Sequence, residues 1–319
     1  MAQAIPLYVM SCFKLPKGFC HEINMLMATY WWGDSDSKRR IHWKNWDSLC
    51  CSKLDGGLGF KDFESFNLAL LAKQWWRIMS NEDSVSYKVL KGKYFPNSSP
   101  RSVLRRPSSS FLWSSFLEER KVFEEGACWR VGDGKQIEVW VDAWLNKPPE
   151  YRATKPSQTP TPLKVVALIN EDNRSWKMEM VKDMFTETDA AIITSTHLSK
   201  RCMPDKQIWR DSSIGMFTVK SAYFFARKVL GKETQQLSQR QPLWRFCWTA
   251  KTIPKVKYFI WRLIQGIIPI GSILQRRGLD VDNRCSMCGQ SGDTLRHVFL
   301  DCKLSKAVWN ICAPEVITA

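Results

Sequence analysis

Cys285, Cys288, His297 and Cys302 stand in the order C-x2-C-x8-H-x4-C. Two thiols three residues apart can grip one ion from a tight turn, and an imidazole with a further thiol completes a tetrahedron. Soft sulfur donors with one imidazole and no carboxylate favour zinc over magnesium or calcium. Protein donors fill all four positions, leaving none open for a catalytic water, so the chemistry is structural: one zinc that holds a fold. Gly289 and Gly292 supply turns after the first pair, and Asp293 or Thr294 can cap a short helix carrying His297. His297 and Cys302 are five residues apart rather than four, so the backbone must leave the α-helix near Asp301. Buried cysteines that merely cluster are the alternative. Cys312 shares a helical stripe with Val308 and reads as core rather than as a substitute ligand. Cys50 and Cys51, with His42 upstream, are adjacent and awkward around one small cation, and also read as core.

Around this motif lies a basic and aromatic zone. Arg245, Lys251, Lys255, Lys257, Arg262, Arg276, Arg277, Arg284 and Arg296 alternate with Trp244, Trp248 and Trp261. Pro254 starts a helix with Val256, Phe259, Ile260 and Leu263 inward, an orientation that leaves Lys255, Lys257 and Arg262 available to phosphates. Phosphate contact with counterion release is the natural use of such a face; a merely solvated face is the alternative. The 319-residue chain has 47 Lys and Arg against 31 Asp and Glu, a formal charge of +16. Residues 1–199 hold 27 basic and 23 acidic side chains, residues 200–319 hold 20 and 8. This balance indicates an anionic partner such as nucleic acid, met by the C-terminal third.

The elements that must position these residues are visible as periodicities. Leu68, Leu71, Ala72, Trp75 and Met79 form one helical stripe with Lys73 and Arg77 outside and Asn67 as its cap. From Cys128 the period becomes two: Trp129 and Val131 lead into Gly132-Asp133-Gly134, after which Ile137, Val139 and Val141 alternate with Glu138, Trp140 and Asp142, a β-hairpin signal. A second strand pair is indicated at Gln207–Arg210 and Met216–Val219. It leads into a helix capped by Thr218, with Val219, Ala222, Tyr223, Ala226 and Leu230 on one face. Pro96–Ser110, Lys147–Pro162 and Gly231–Pro242 read as linkers. The 16 tryptophans read as core, with base stacking as the alternative. The best apolar stretch, Val256–Ile270, is interrupted by Lys257, Arg262 and Gln265 and is too short to span a membrane. The 11 cysteines show no disulfide framework, which favours a reducing, intracellular compartment, nuclear or cytoplasmic, without secretion.

The run from Trp244 to Trp309, with Pro254-Lys255-Val256-Lys257, Phe259-Ile260-Trp261-Arg262, Leu274 to Gly278, the Cys285/Cys288 pair, His297-Val298-Phe299 and Cys302, resembles the zinc-binding domain of reverse transcriptases from plant LINE-type (non-LTR) retrotransposons. Phe217 to Tyr223 is similar to the opening of that domain, and Gly132 to Trp144 to the hairpin before it. Cys12 to Pro16, Trp32-Gly33, Ile41-His42-Trp43 and Gly56 to Trp76 resemble the region after the polymerase palm. The family's polymerases hold two magnesium ions on paired aspartates, whereas this chain contains no Asp-Asp dipeptide. Asp133, Asp142 and Asp211 are isolated and read as solvated.

The expectation is an α+β, mostly helical protein. It divides into a helical region after the palm (1–95), a linker and hairpin-containing segment (96–162), a connecting region (163–206) and the zinc-binding domain (207–319). The resemblance implies a truncated, non-catalytic product that binds RNA or DNA, acts with a complete reverse transcriptase, or persists as a transposon fossil.

Overall fold

The computed structural model describes residues 6–35, 37, 39–148, 150–155, 163–232, 241–290, 292–313 and 315. The chain begins with helices α1 (Leu7–Cys12), α2 (Lys17–Trp32), α3 (Trp46–Leu49), α4 (Phe63–Ser80), α5 (Val85–Tyr94) and α6 (Phe111–Gly126). Strands β1 (Ala127–Arg130), β2 (Ile169–Asn170) and β3 (Ser175–Trp176) follow, then α7 (Met178–Met184), α8 (Glu187–Ser195) and β4 (Lys206–Trp209). The remainder is α9 (Val219–Val229), α10 (Gln241–Thr249), α11 (Pro254–Ile264), α12 (Gly271–Arg276) and α13 (Lys303–Cys312). The class is α+β and mostly helical, with two antiparallel strand pairs, β1–β4 and β2–β3. Of the linkers read from sequence, residues 156–162 and 233–240 lie outside the described residues.

Two compact units result, each built from two stretches of chain: 1–27 with 61–233, and 28–60 with 234–319. The segments read from sequence are consecutive, whereas the units interleave, because the chain leaves the first within α2 and returns to it just before α4.

The first unit is organised by α4. Leu68, Leu71, Ala72 and Trp75 are buried, while Lys73 and Arg77 are exposed, as their spacing requires. Its cap is Asp62 rather than Asn67. The Asp62 carboxylate accepts the Ser65 N–H at 2.9 Å, the Asn24 amide at 2.7 Å and the Lys232 ammonium at 3.0 Å. Burial pushes this carboxyl up, but the Ser65 and Lys232 contacts outweigh it and hold Asp62 below the ordinary carboxylate range. Asn67 lies inside the helix, accepts the Leu15 N–H at 2.8 Å and donates to the Met10 and Phe13 carbonyls, pinning the α1–α2 connection. In α9 the Thr218 hydroxyl accepts the Ser221 N–H at 3.1 Å, and Ala222, Tyr223 and Ala226 are buried.

The period-two segment does not form a local hairpin. β1 pairs with β4, Ala127 opposite Trp209, and residues 216–218 are not a strand. Side-chain carboxylates divert the backbone. Asp205 accepts the N–H groups of Gly132, Gly134 and Gln136 at 2.7, 2.9 and 2.8 Å, wrapping the glycine loop around itself. Asp142 accepts the Glu138 N–H at 2.8 Å, together with Arg101 and the Trp129 indole. The alternation therefore breaks at Trp140, which is buried with Asp142 while Val141 is exposed. Asp142 is thus a buried anchor rather than a solvated carboxylate; Asp211 is exposed.

The second unit packs Trp244, Cys247, Trp261, Ile267, Ile270 and Ile273 with Trp43 and Leu49 from the early segment. The Trp261 indole and the Gln265 amide both donate to the Gly56 carbonyl, at 2.8 and 2.7 Å. Gly56 has φ 84°, and a side chain there would press on the Trp244 ring at 3.0 Å. These contacts rotate α11 part-way from the expected orientation: Ile260 packs against the core as expected, but Tyr258 and Trp261 join it there, and Val256 and Phe259 are exposed.

Three outcomes test this architecture. Trp261→Ala should cost about 3–5 kcal/mol in the second unit, measured by urea unfolding. Asp205→Ala leaves three backbone N–H groups without their acceptor and should destabilise the first unit by about 3 kcal/mol or more. Because the folded Asp62 carboxyl titrates below the unfolded one, its contribution is complete above about pH 4 and is lost as pH falls through the folded value. Asp62→Asn should therefore lower stability at pH 7 and flatten the decline between about pH 5 and 3.

Candidate metal centre and basic surface

The first pair of thiols sits on a turn that the backbone closes. Cys285 N–H donates to the Gln290 carbonyl and Gly289 N–H to the Cys285 carbonyl, both at 2.8 Å, with Gly289 left-handed at φ 71°. Gly292 and Asp293 then donate to the Asn283 carbonyl, returning the chain. Of the two proposed caps, Thr294 acts on the His297 segment, accepting the His297 N–H at 3.1 Å. Asp293 instead accepts the Gly271 N–H at 2.6 Å and ties the metal loop to the start of α12.

The five-residue step from His297 to Cys302 is solved by a π-helical turn, His297–Asp301, in which Cys302 N–H donates to the His297 carbonyl at 2.8 Å. On an α-helix these residues would point about 140° apart. The wider i→i+5 ring accommodates the extra residue and turns both toward one point.

One donor atom from each of Cys285, Cys288, His297 and Cys302 lies within 4.8 Å of all the others. Cys288 Sγ and His297 Nε2 are 3.3 Å apart. A tetrahedron with 2.3 Å zinc–sulfur bonds has edges of about 3.8 Å, so three thiols and one imidazole at these separations fit one structural zinc, which these four residues would hold. Burial pushes the Cys302 thiol up, but the N–H groups of Ser305 and Leu304 at the start of α13, with the neighbouring thiols, outweigh it and hold it below its ordinary value. For Cys288 the Gln290 N–H pulls down, while burial and the adjacent Cys285 and Cys302 prevail and raise it. A divalent cation would remove the remaining thiol protons.

Cys312 and Val308 are exposed, so their stripe is surface and not core. Cys50 and Cys51 are buried, and His42 pairs with Asp34 at 2.9 Å.

The predicted basic residues divide by what they touch. Lys257 donates to the Trp248 carbonyl at 3.0 Å, and the half-buried Arg262 reaches the Ile267 carbonyl at 3.4 Å, so both serve the fold. Arg277 is exposed but donates to the Trp43 carbonyl at 2.9 Å. Arg284 and Arg296 lie 3.9 and 3.3 Å from Asp282 and Asp301. Arg245, Lys251, Lys255 and Arg276 are exposed, with Arg276 reaching only its own helix at the Ser272 carbonyl. Residues 241–279 contain seven Lys and Arg and no Asp or Glu. The sequence reading missed Arg39 and Arg40, which are exposed on the same unit; nothing local marks them as its members. The unit holds 17 basic and 9 acidic residues in all.

Residues 217–309 match the family described as zinc-binding in reverse transcriptase. The chain is 26% identical over 327 residues to a putative ribonuclease H protein of Arabidopsis thaliana, an alignment covering 98% of this chain and 50% of that relative. It is 42% identical over 145 residues to an uncharacterized mitochondrial protein of the same plant, covering 44% of this chain and 93% of the relative. The chain thus spans about half the length of the first relative. No solved structure matches, and no helix among the described residues is long and apolar enough to cross a membrane.

Metal analysis should return one zinc per chain, and Cys288→Ser should lower that content while Cys312→Ser leaves it unchanged. Among the described residues from 280 onward only Cys285, Asp293 and Cys302 are buried, so the metal must supply what an apolar core does not. Chelation should therefore abolish hydrogen-exchange protection across residues 283–312 while α11 retains its own.

Proposed function

Because the chain belongs to the reverse-transcriptase zinc-binding family of plant retrotransposon type, we propose that it is a non-catalytic part of a LINE-type (non-LTR) element that binds RNA or DNA through the basic surface of its zinc-bearing unit. The observation that carries this reading is the acid-free stretch 241–279, which displays Arg245, Lys251, Lys255 and Arg276 to solvent. A polyanion neutralises such a surface and releases its counterions, whereas a surface balanced by acidic neighbours gains little. Zinc, in this reading, fixes the shape of the surface and takes no part in chemistry. The lack of any Asp-Asp dipeptide supports a binding role without nucleotidyl transfer.

Binding to RNA and DNA oligonucleotides is expected to fall steeply with salt. Reversing Arg245, Lys251 and Lys255 to Glu should weaken it for all sequences and reduce the log–log salt slope by about 0.7–0.9 for each lost phosphate contact. Lys257→Glu should act differently, lowering stability through the lost Trp248 contact. Purified protein should incorporate no nucleotides on a primed template with magnesium. Salt-insensitive or absent binding would refute the proposal, and template-dependent incorporation would refute its non-catalytic part.

A further inference from the structure

The aromatic side chains of the zinc-bearing unit are sorted by the faces of two helices. On α10, Trp244 and Cys247 are buried, and Trp248 is committed inward: its indole donates to the Lys53 carbonyl at 3.0 Å, and the Lys53 ammonium lies 4.8 Å over its ring. On α11, Trp261 is fully buried. Trp244 and Trp261 are thus closed to a ligand, and Lys53 covers one face of the half-buried Trp248 ring. Phe246 stands two residues past Trp244, about 200° round the helix, and is 65% exposed. Leu243, one turn earlier on α10, and Ile253, the N-cap of α11, are also exposed, at 51% and 62%.

Cations flank this apolar ledge. Arg245 adjoins Phe246 on α10, Lys251 lies in the connection to α11, and Lys255 is in the first turn of α11; all three are exposed. The contacts from Cys247 Sγ to the Lys257 carbonyl (3.4 Å) and from Lys257 to the Trp248 carbonyl hold the end of α10 against the start of α11. The phenyl ring and the three cations therefore belong to one elbow. Such a surface offers a π-face for a base and positive charge for the phosphates on either side of it, the combination that recognises an unpaired strand. In a duplex the bases are stacked on each other and cannot reach the ring.

We propose that Phe246 is a stacking platform for an unpaired base, and that this elbow takes single-stranded nucleic acid in preference to duplex. The proposal rests on the nucleic-acid-binding reading above and narrows its ligand. It is tested with the zinc-loaded full chain and labelled single-stranded RNA, single-stranded DNA and duplexes of the same sequence. The single strands should bind more tightly than the duplexes. Phe246→Ala should weaken single-strand binding by about tenfold, leave duplex binding and the salt slope unchanged, and Phe246→Tyr should restore affinity. Zinc content and circular dichroism establish that the variants fold. Wild-type affinity in Phe246→Ala, or a wild-type preference for duplex, overturns the stacking role while leaving nucleic-acid binding in place. Loss of binding on reversing Arg245, Lys251 and Lys255 but not in Phe246→Ala likewise overturns it. If the wild type binds none of the probes, both proposals fall together.

Discussion

The Gly56 carbonyl receives two side-chain hydrogen bonds, from the Trp261 indole and the Gln265 amide, and the zinc-bearing unit is built around that point. A buried indole N–H is stabilised by an acceptor, and that of Trp261 comes from a turn about two hundred residues earlier in the chain. Gly56 can present its carbonyl there because its left-handed φ and missing side chain let the Trp244 ring approach. The early segment contributes Trp43 and Leu49 to the same core. Once Trp261 is fixed, the rotation of α11 is fixed with it, and so is the identity of the side chains left in solvent.

Beyond α12 this core thins to the half-buried Leu295 and Val298 at its edge, and a different source of order takes over. α13 has no buried residue; it is tied to the π turn by the Trp309 indole donating to the Phe299 carbonyl at 2.6 Å and the Ser305 hydroxyl donating to the Val298 carbonyl at 2.5 Å. A lobe this small buries too little apolar surface to hold itself. Four donors converging on one ion replace the missing core, and the π turn is the backbone adjustment that makes the convergence possible. Asp293 joins the two regimes, since its backbone belongs to the metal loop and its carboxylate caps α12.

The parts of this design legible in the sequence are those whose chemistry is local. The donor set announces itself by residue type and spacing, and the need to leave the α-helix between His297 and Cys302 follows from counting, though not the form it takes. The α4 stripe and the Thr218 cap follow from periodicity and short-range hydrogen bonding. What spacing misses is set by distant partners. Asp205 unmakes a hairpin that Trp129 to Val141 would otherwise suggest, by accepting N–H groups some 70 residues away in sequence. The interleaving of 28–60 with 234–319 carries no local signal at all.

The consequence for function lies in the difference between counting charges and placing them. Lys255 and Lys257 are two residues apart and equal in any composition, yet one is exposed and the other donates to the Trp248 carbonyl. Arg262 likewise sits half-buried against the Ile267 carbonyl. Which of these cations meets solvent is decided by the helix rotation that Trp261 imposes, and that rotation is decided by Gly56. A segment carrying little net charge of its own thus determines which of the C-terminal cations face a polyanion, so the basic surface is a property of the interleaved unit and not of the C-terminal sequence alone.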